Sequence, residues 1–314
     1  MKLGFGGAVI GGLHQWVDED TALAAVTAAW SCGVRFFDTA PHYGLGLSER
    51  RLGRALAGRP RSEYTLCTKV GRLLVPSPEL AGQRDESFDV PAAYRRVWDF
   101  SADGVRRSLE SSVDRLGVDR VDVVLLHDPD DHWQQAIDEA YPALHELRAQ
   151  GVVGAIGAGM NQWQLLQRFV AETDIDTVML AGRYTLLEQT ALDTMLPLCV
   201  ERGVSVLAAG VFNSGLLAVD RPGPDATYNY ATAPAELRER ALRIADICAR
   251  HGVRLPQAAL AFAGAHPAVR RVVVGIRTAE QMRDNAELFA RPVPPDLWPD
   301  LVAAGLLRAD APLP

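Results

Sequence analysis

The sequence predicts a closed parallel (β/α)8 barrel, an α/β fold, and two observations support this prediction. Short apolar runs alternate with helical patterns about eight times along the 314 residues, which is the chain order of a βα barrel. Three of the runs end in polar side chains, namely Asp38, Lys69 and His127. Because barrel strands all present their C-terminal ends on one face, these side chains are expected to lie together. A single domain spanning residues 1–314 is expected.

The first half of the chain contains four strand patterns, each an apolar run of a few residues, and three helices that are followed by Gly33, Gly58 and Gly117 as stops. The expected strands are Leu3–Ala8, Val34–Asp38, Tyr64–Lys69 and Val121–His127, and the expected helices are Asp18–Ser31, Ser48–Leu56 and Ser101–Leu116. Residues 71–100 are expected to be irregular. An insertion of this length in a βα connection is typical of a lid or a binding loop.

The second half repeats the alternation of strands and helices. The expected strands are Val152–Ala158, Asp176–Leu180, Val204–Ala208 and Arg271–Val274, and the expected helices are His132–Gln150, Asn161–Glu172, Thr190–Arg202, Ala235–His251, Pro256–Ala265 and Thr278–Ala290. The Pro-rich tail from Arg291 is expected to pack a short helix across the barrel.

An open, doubly wound sheet that binds a dinucleotide is the alternative fold. It requires a Gly-x-Gly-x-x-Gly turn after the first strand and an acid at the end of the second strand. Gly4, Gly6, Gly7 and Gly11 offer glycines at the wrong spacing, and the residues after Gly11 do not start a helix. The closed barrel is therefore the prediction.

Composition excludes several classes of protein. The net charge is −7, with no basic stripe and no run of like charges, so neither nucleic acid nor an anionic membrane is an expected partner. The four cysteines are far apart and form no Cys-x-x-Cys pair, which is typical of free thiols in a reducing cytosol. The glycine-rich N-terminus does not resemble an export signal, so a cytoplasmic location is expected. The predicted strand ends carry no His-x-His pair and no carboxylate cluster, so a metal site is not expected.

Four residues near the strand ends suit hydride-transfer chemistry. Removing hydride from a carbinol carbon requires a base that takes the hydroxyl proton. Tyr43, with an ordinary pKa of about 10, is a weak base at neutral pH. The ammonium of Lys69 is expected to lower this pKa while Asp38 orients the lysine, and His127 is expected to hold the substrate oxygen. The structural alternative is a buried Asp–Lys ion pair, a rim tyrosine and a core histidine that share no function.

The ordered segments LGFGG, FDTAPHYG, TKVG, DVVLLHDP, GAIGAGMNQW, FNSGLL and VVVGIRTAEQMRDN, from Leu3 to Asn285, resemble the aldo-keto reductase family. More closely, they resemble the subgroup that oxidises a cyclic hemiacetal to a lactone, which includes L-fucose, D-threo-aldose and L-galactose dehydrogenases, together with pyridoxal dehydrogenase. The resemblance implies that Asp38, Tyr43, Lys69 and His127 form the catalytic tetrad. Trp16, His42 and Asp128 lie next to these positions in the chain and are candidate substrate contacts.

The resemblance also implies a nicotinamide cofactor site with unusual residues. Positions that commonly hold the nicotinamide ring are Gly159, Met160, Ala181 and Ala209 here. The implied cofactor residues are Asn161, Phe212, Asn213, Ser214, Gly275, Arg277, Gln281 and Asn285. The two cations that often clamp a 2′-phosphate appear here as Gly275 and Gln281, which favours NAD, while Arg277 keeps NADP open.

The expected function is the NAD(P)-dependent oxidation of an aldose at C1, with a sugar or aldehyde as the small-molecule partner. Pyridoxal oxidation and the reduction of aldehydes or ketones remain alternatives. A barrel that only senses the cofactor is the non-enzymatic alternative, and a turnover assay separates it from an enzyme.

Overall fold

The computed structural model describes residues 1–80, 82–229 and 231–314. Its strands, numbered along the chain, are β1 (Leu3–Gly6), β2 (Phe36–Asp38), β3 (Thr65–Val70), β4 (Arg72–Pro76), β5 (Tyr94–Trp98), β6 (Val123–His127), β7 (Ala155–Met160), β8 (Thr177–Ala181), β9 (Ser205–Ala209), β10 (Thr227–Tyr228), β11 (Ala231–Thr232) and β12 (Val269–Gly275). Eight of them form a closed parallel barrel in the order β1-β12-β9-β8-β7-β6-β3-β2. The predicted (β/α)8 barrel is confirmed.

The α-helices cover the outside of the barrel. They are α1 (Glu19–Ser31), α2 (Leu47–Leu56), α3 (Ala102–Leu116), α4 (Trp133–Gln135), α5 (Tyr141–Ala149), α6 (Trp163–Glu172), α7 (Met195–Arg202), α8 (Ala235–Arg250), α9 (Leu255–Ala265), α10 (Ala279–Ala290) and α11 (Leu297–Ala303). Short 3-10 turns lie at Val9–Gly11, Arg61–Glu63, Pro78–Leu80, Asp130–His132 and Thr190–Leu192. A π turn, Ala136–Ala140, joins α4 to α5.

Local sequence explains several helix ends. The Asp18 carboxylate accepts a hydrogen bond from the Thr21 backbone N–H at 2.9 Å and caps α1. Ser101 caps α3 in the same way through Gly104 N–H at 3.0 Å. Gly117 ends α3 with φ at 64°, a left-handed conformation that favours glycine.

The prediction that residues 71–100 are irregular was wrong. β4 and β5 form an antiparallel hairpin in which Arg72 lies opposite Trp98 and Pro76 lies opposite Tyr94. The hairpin leaves and rejoins the barrel at one point, where the Asp99 N–H donates to the Gly71 carbonyl at 3.0 Å. Its side chains are mostly half-exposed or exposed, so no strong buried-strand pattern marks it in the sequence.

Some predicted boundaries also moved. The strand predicted from Val152 begins at Ala155 and continues to Met160, because Val152 stays exposed in the preceding turn. The helix predicted over Thr190–Arg202 is a 3-10 turn followed by α7.

The core has two layers. Most buried apolar side chains lie between the strands and the surrounding helices. A smaller cluster fills the barrel interior: Phe36, Cys67, Val123, Leu125, Met179, Leu207 and Val273. Gly157 allows β7 and β8 to approach closely, since a Cβ there would lie 1.7 Å from the Thr177 carbonyl oxygen. The filled interior leaves the C-terminal ends of the strands as the place for a site.

The short helix predicted in the tail is present as α11 and lies against α8 and α9. Asp300 accepts a hydrogen bond from His251 at 2.8 Å, and the buried ring of Trp298 lies 6.5 Å from that of Phe262. Across the described ranges, no helix has the length and apolarity needed to cross a membrane.

Candidate active site

A buried ion pair lies at the C-terminal ends of β2 and β3. Lys69 Nζ donates to both carboxylate oxygens of Asp38, at 2.8 and 2.9 Å, and to the Thr39 carbonyl at 3.0 Å. Burial alone would lower the pKa of Lys69, but the Asp38 carboxylate holds this pKa above its ordinary value. The ammonium is therefore charged and fixed in position.

Tyr43 lies in the turn after β2, beside this pair. Lys69 Nζ is 4.7 Å from the centroid of the Tyr43 ring. Burial raises the pKa of Tyr43 above its ordinary value, and the charge of Lys69 only partly opposes that rise. The expectation of a lowered Tyr43 pKa was therefore wrong in its net direction, although Lys69 acts in the expected sense. The phenol is protonated at neutral pH.

His127 ends β6 and faces Tyr43. The two rings are perpendicular, with centroids 5.7 Å apart, and the His42 ring lies 5.5 Å from His127 on another side. His127 is 5% exposed, and its Nδ1 is buried with no hydrogen-bond partner among the described residues. Burial, with the charges of Arg72 and Lys69, holds the pKa of His127 well below its ordinary value. The imidazole is neutral.

The insertion, interpreted from the sequence as a lid or binding loop, supplies part of the wall of the site through Phe88, a residue that the sequence did not single out. The Phe88 ring packs at 5.1 Å from His42 and 6.1 Å from Tyr43. This loop is held by the Asp85–Arg96 ion pair at 2.6 Å and by an isolated β-bridge between Phe88 and Leu13. Phe88 belongs to no recognisable sequence motif. Only its contacts in the folded chain identify it as a residue of the site.

A second ion pair from the insertion reaches the residue after His127. Arg72, at the start of β4, contacts the Asp128 carboxylate, and its guanidinium lies 4.2 Å over the ring of Trp98. Asp128 has a left-handed φ of 45°, and its backbone N–H donates to the Gly159 carbonyl at 3.0 Å. Sequence reasoning identified Asp128 and missed Arg72.

Two cavities meet at Tyr43. One, of about 470 Å³, has walls that include Tyr43, Lys69, His127 and the candidate substrate residues His42 and Asp128. We call it the substrate cavity. The other, of about 380 Å³, lies at the ends of β1, β8, β9 and β12 and is called the cofactor cavity. The residues that line both are Ala8, Leu13, His14, Tyr43, Asn161, Met179 and Ala181.

The cofactor cavity is lined by small side chains and by two asparagines whose amide groups hydrogen-bond to backbone carbonyls. Its floor is formed by small side chains, including Ala181 and Ala209, which leave room where a larger side chain would fill the space. Asn161 donates to the Ala181 carbonyl at 3.0 Å. Asn213 donates to the Gly182 carbonyl at 3.1 Å, and its buried Oδ1 has no partner within the described ranges. An amide-bearing ring could satisfy such an acceptor.

The far end of the cofactor cavity contains one arginine. Arg277 lines the cavity with Gly275 and Gln281, and its backbone N–H donates to the Gln281 side chain at 2.9 Å. No ion pair to Arg277 is found in residues 1–80, 82–229 and 231–314. Its Nε is buried and has no hydrogen-bond partner within those residues.

Most predicted site residues are brought together, and two are not. Phe212, Asn213 and Ser214 line the cofactor cavity as predicted. Asn285 on α10 and Trp16 line neither cavity. Trp16 is 44% exposed, and its backbone N–H donates to Asp89 at 2.8 Å. Within the described part of the chain, no group of three or more His, Cys, Asp or Glu side chains is placed to hold a metal ion.

Comparison with known proteins agrees with this architecture. Residues 2–305 match the model of the Aldo/keto reductase family. The chain is 48% identical to a D-threo-aldose 1-dehydrogenase of Pseudomonas sp over 97% of this chain and 94% of that protein. It is 38% identical to a pyridoxal 4-dehydrogenase of Microbacterium luteolum, with the same two coverages of 97% and 94%.

A solved structure of an aldo-keto reductase has a similar fold. The chain resembles the holo form of an aldo-keto reductase from Bacillus halodurans with a TM-score of 0.77, at 25% identity, over 99% of this chain and 93% of that one. The chain belongs to the aldo/keto reductase family and is an NAD(P)-dependent oxidoreductase.

Proposed function

We propose that this protein oxidises the C1 hydroxyl of a cyclic aldose to the lactone, with NAD as the acceptor. The observation that supports this proposal most directly is the position of Tyr43. Its ring forms part of the wall shared by the substrate and cofactor cavities, beside Lys69 and opposite His127. A proton acceptor for a hydride-transfer reaction belongs at such a junction. The 48% identity to a D-threo-aldose 1-dehydrogenase supports the substrate class.

Each side chain has a definite task in this reaction. The bound nicotinamide supplies the acceptor for the hydride that leaves C1. Tyr43 takes the proton of the C1 hydroxyl, so that the carbon–oxygen bond becomes the lactone carbonyl. Lys69 stabilises the phenolate that Tyr43 must be before it accepts this proton, and Asp38 fixes the ammonium. Neutral His127 donates a hydrogen bond to the C1 oxygen.

The charge pattern of the substrate cavity suits an uncharged polyhydroxylated molecule. Lys69 lines this cavity, and Arg72 and Arg96 contact residues of its wall. Each of these cations has a carboxylate partner, Asp38, Asp128 and Asp85 respectively. A substrate phosphate or carboxylate would have to compete with these acids for its counterion. Neutral hydroxyls can instead donate to the carboxylates and accept from the neutral histidines.

The choice of NAD rests on the end of the cofactor cavity. A 2′-phosphate is usually held by more than one charge-assisted hydrogen bond. Here Arg277 is accompanied by Gly275 and Gln281, and the Gln281 side chain already accepts from the Arg277 backbone. One arginine without a second cation makes a weak phosphate clamp.

The test is a set of initial rates on L-galactose, L-fucose and pyridoxal, each with NAD and with NADP, followed by the absorbance of the reduced nicotinamide. We expect the highest kcat/KM with an aldose and NAD. Absence of turnover on every aldose would contradict the proposal.

Pyridoxal oxidation is the second candidate function. The 38% identity to a pyridoxal 4-dehydrogenase supports it, and the Phe88 ring in the cavity wall could stack on a flat pyridine ring. A higher kcat/KM on pyridoxal than on both sugars would favour this reading.

A further inference from the structure

Asp128 is held in place by contacts from two directions. Its left-handed backbone is fixed by the hydrogen bond to the Gly159 carbonyl, and its carboxylate is held by Arg72. The Asp128 side chain is 30% exposed and lines the substrate cavity next to His127, whereas the Arg72 side chain is only 13% exposed. The acid therefore faces the ligand and the arginine supports it from behind.

The contacts also leave one carboxylate oxygen for a ligand. Arg72 contacts Oδ2 of Asp128, and His127 Nε2 lies 3.7 Å from the same oxygen. Oδ1 of Asp128 has no protein hydrogen-bond partner in the described part of the chain. A carboxylate oxygen only accepts hydrogen bonds. A substrate hydroxyl, as a donor, matches it.

We propose that the Arg72–Asp128 pair determines specificity for polyhydroxylated substrates. Arg72 positions the Asp128 carboxylate so that it accepts hydrogen bonds from hydroxyls beyond the reacting carbon. This inference rests on the proposed function and names two residues through which the enzyme distinguishes a sugar from an aldehyde of similar size. The Trp98 ring lies 4.2 Å from the Arg72 guanidinium.

The first test is Asp128→Asn, which keeps the size of the side chain and removes its charge. Hydrogen bonds to charged groups contribute enough that KM for L-galactose should rise about 10- to 100-fold, with a smaller change in kcat. Reduction of benzaldehyde, which has no hydroxyl, should lose much less activity. An equal loss on the sugar and on benzaldehyde would show that Asp128 is merely structural and would overturn the inference.

Deoxy sugars identify the hydroxyl concerned. The 2-, 3- and 4-deoxy analogues of L-galactose should include at least one that binds the wild type weakly and shows no further loss with Asp128→Asn. If every deoxy analogue loses as much as the parent sugar on this substitution, no hydroxyl contacts Asp128.

Arg72→Gln tests the positioning role. It should raise KM for L-galactose in the same direction, and Arg72→Lys should restore part of the affinity because the positive charge returns. The charge of Arg72 also lowers the pKa of His127, so Arg72→Gln should move the acidic limb of the pH–rate profile to higher pH. A change in KM without rescue by lysine and without this pH shift would overturn the positioning role.

A matched control exists on the outer surface. Arg168 on α6 lies 3.9 Å over the Trp133 ring and pairs with Glu172 at 2.9 Å. Like Arg72, it therefore contacts one tryptophan ring and one carboxylate. Arg168→Gln should leave the kinetics unchanged. Melting temperature and the Kd for NAD, measured on every variant, confirm that each has folded. Failure of the wild type on all aldoses would refute the proposed function itself, and this inference with it, and is distinguishable from a failure of Asp128→Asn alone.

Discussion

The rings of Tyr43 and His127 stand perpendicular to each other, with centroids 5.7 Å apart. Their polar atoms can therefore approach one oxygen from two directions, which a stacked pair could not do. One ring is a buried phenol with a raised pKa and the other a neutral imidazole with a lowered pKa. Two titratable groups whose pKa values are pushed apart suit different roles toward the same oxygen.

Tyr43→Phe should abolish turnover and keep cofactor binding. The substitution removes the phenolic oxygen and little else, and positioned acid–base groups contribute typically 10²- to 10⁴-fold to rate. We expect kcat on L-galactose to fall at least about 100-fold, with a Kd for NAD close to that of the wild type by fluorescence titration. A kcat above about a tenth of wild type would refute the role of Tyr43.

The pH dependence of oxidation should respond to removal of the Lys69 charge. Tyr43 must be deprotonated to accept a proton, so the oxidation rate should rise with pH toward its raised pKa. Lys69 lowers this pKa and Asp38 raises it. Lys69→Met should therefore move the alkaline rise to higher pH.

The measurement is kcat/KM for L-galactose from neutral to strongly alkaline pH, with circular dichroism to exclude unfolding, because breaking a buried pair is destabilising. An unchanged pH profile in an active Lys69→Met variant would contradict an electrostatic role for Lys69.

Arg277→Ala tests the choice of cofactor. If NAD is the working cofactor, the substitution should change its Kd only modestly. Loss of a charge-assisted contact to a 2′-phosphate would instead weaken NADP by roughly 1.5–3 kcal/mol, about 10- to 100-fold in Kd. We expect the wild type to prefer NAD in kcat/KM. A preference for NADP above about tenfold would show that Arg277 alone makes an adequate clamp.

Gly157→Ala should destabilise the barrel. The new methyl group would lie 1.7 Å from the Thr177 carbonyl oxygen, so β7 and β8 must separate, and overpacking of this kind costs typically about 1–3 kcal/mol. The free energy of unfolding from a urea titration gives the value. Gly223→Ala is the control, since no atom lies within 4 Å of its added Cβ. Equal stability of the two variants would contradict the close approach of the strands.

The barrel and the ends of its strands could be predicted because both depend on short-range sequence patterns, namely apolar runs and helical periodicity. An apolar run that ends in Asp38, Lys69 or His127 carries its own signal. The hairpin carries none, because β4 and β5 pair across the intervening loop and bury little. Arg72 is placed by that pairing, and Phe88, in the loop between the two strands, is placed by its bridge to Leu13.

Two errors at the site have the same physical origin. Trp16 is near the candidate site in the chain, but Arg51 donates to the Ile10 and Val17 carbonyls at 2.6 and 2.7 Å and so sets the course of the loop between them. The Tyr43 pKa was expected to follow its charged neighbour, whereas burial dominates. Loop direction and desolvation depend on the whole fold.

The inserted segment leaves and rejoins the barrel side by side, where the Asp99 N–H bonds to the Gly71 carbonyl. Asp38, Lys69 and His127 belong to barrel strands. Phe88 and Arg72 belong to the inserted segment, which rests on the barrel loops through the Phe88–Leu13 bridge and the Arg72–Asp128 ion pair. An evolving lineage can therefore exchange, lengthen or rebuild this segment and alter which molecules are accepted, without disturbing the strands that hold the reactive groups. If the inserted segment selects the substrate as proposed, substrate range and hydride-transfer chemistry lie on separate parts of the chain.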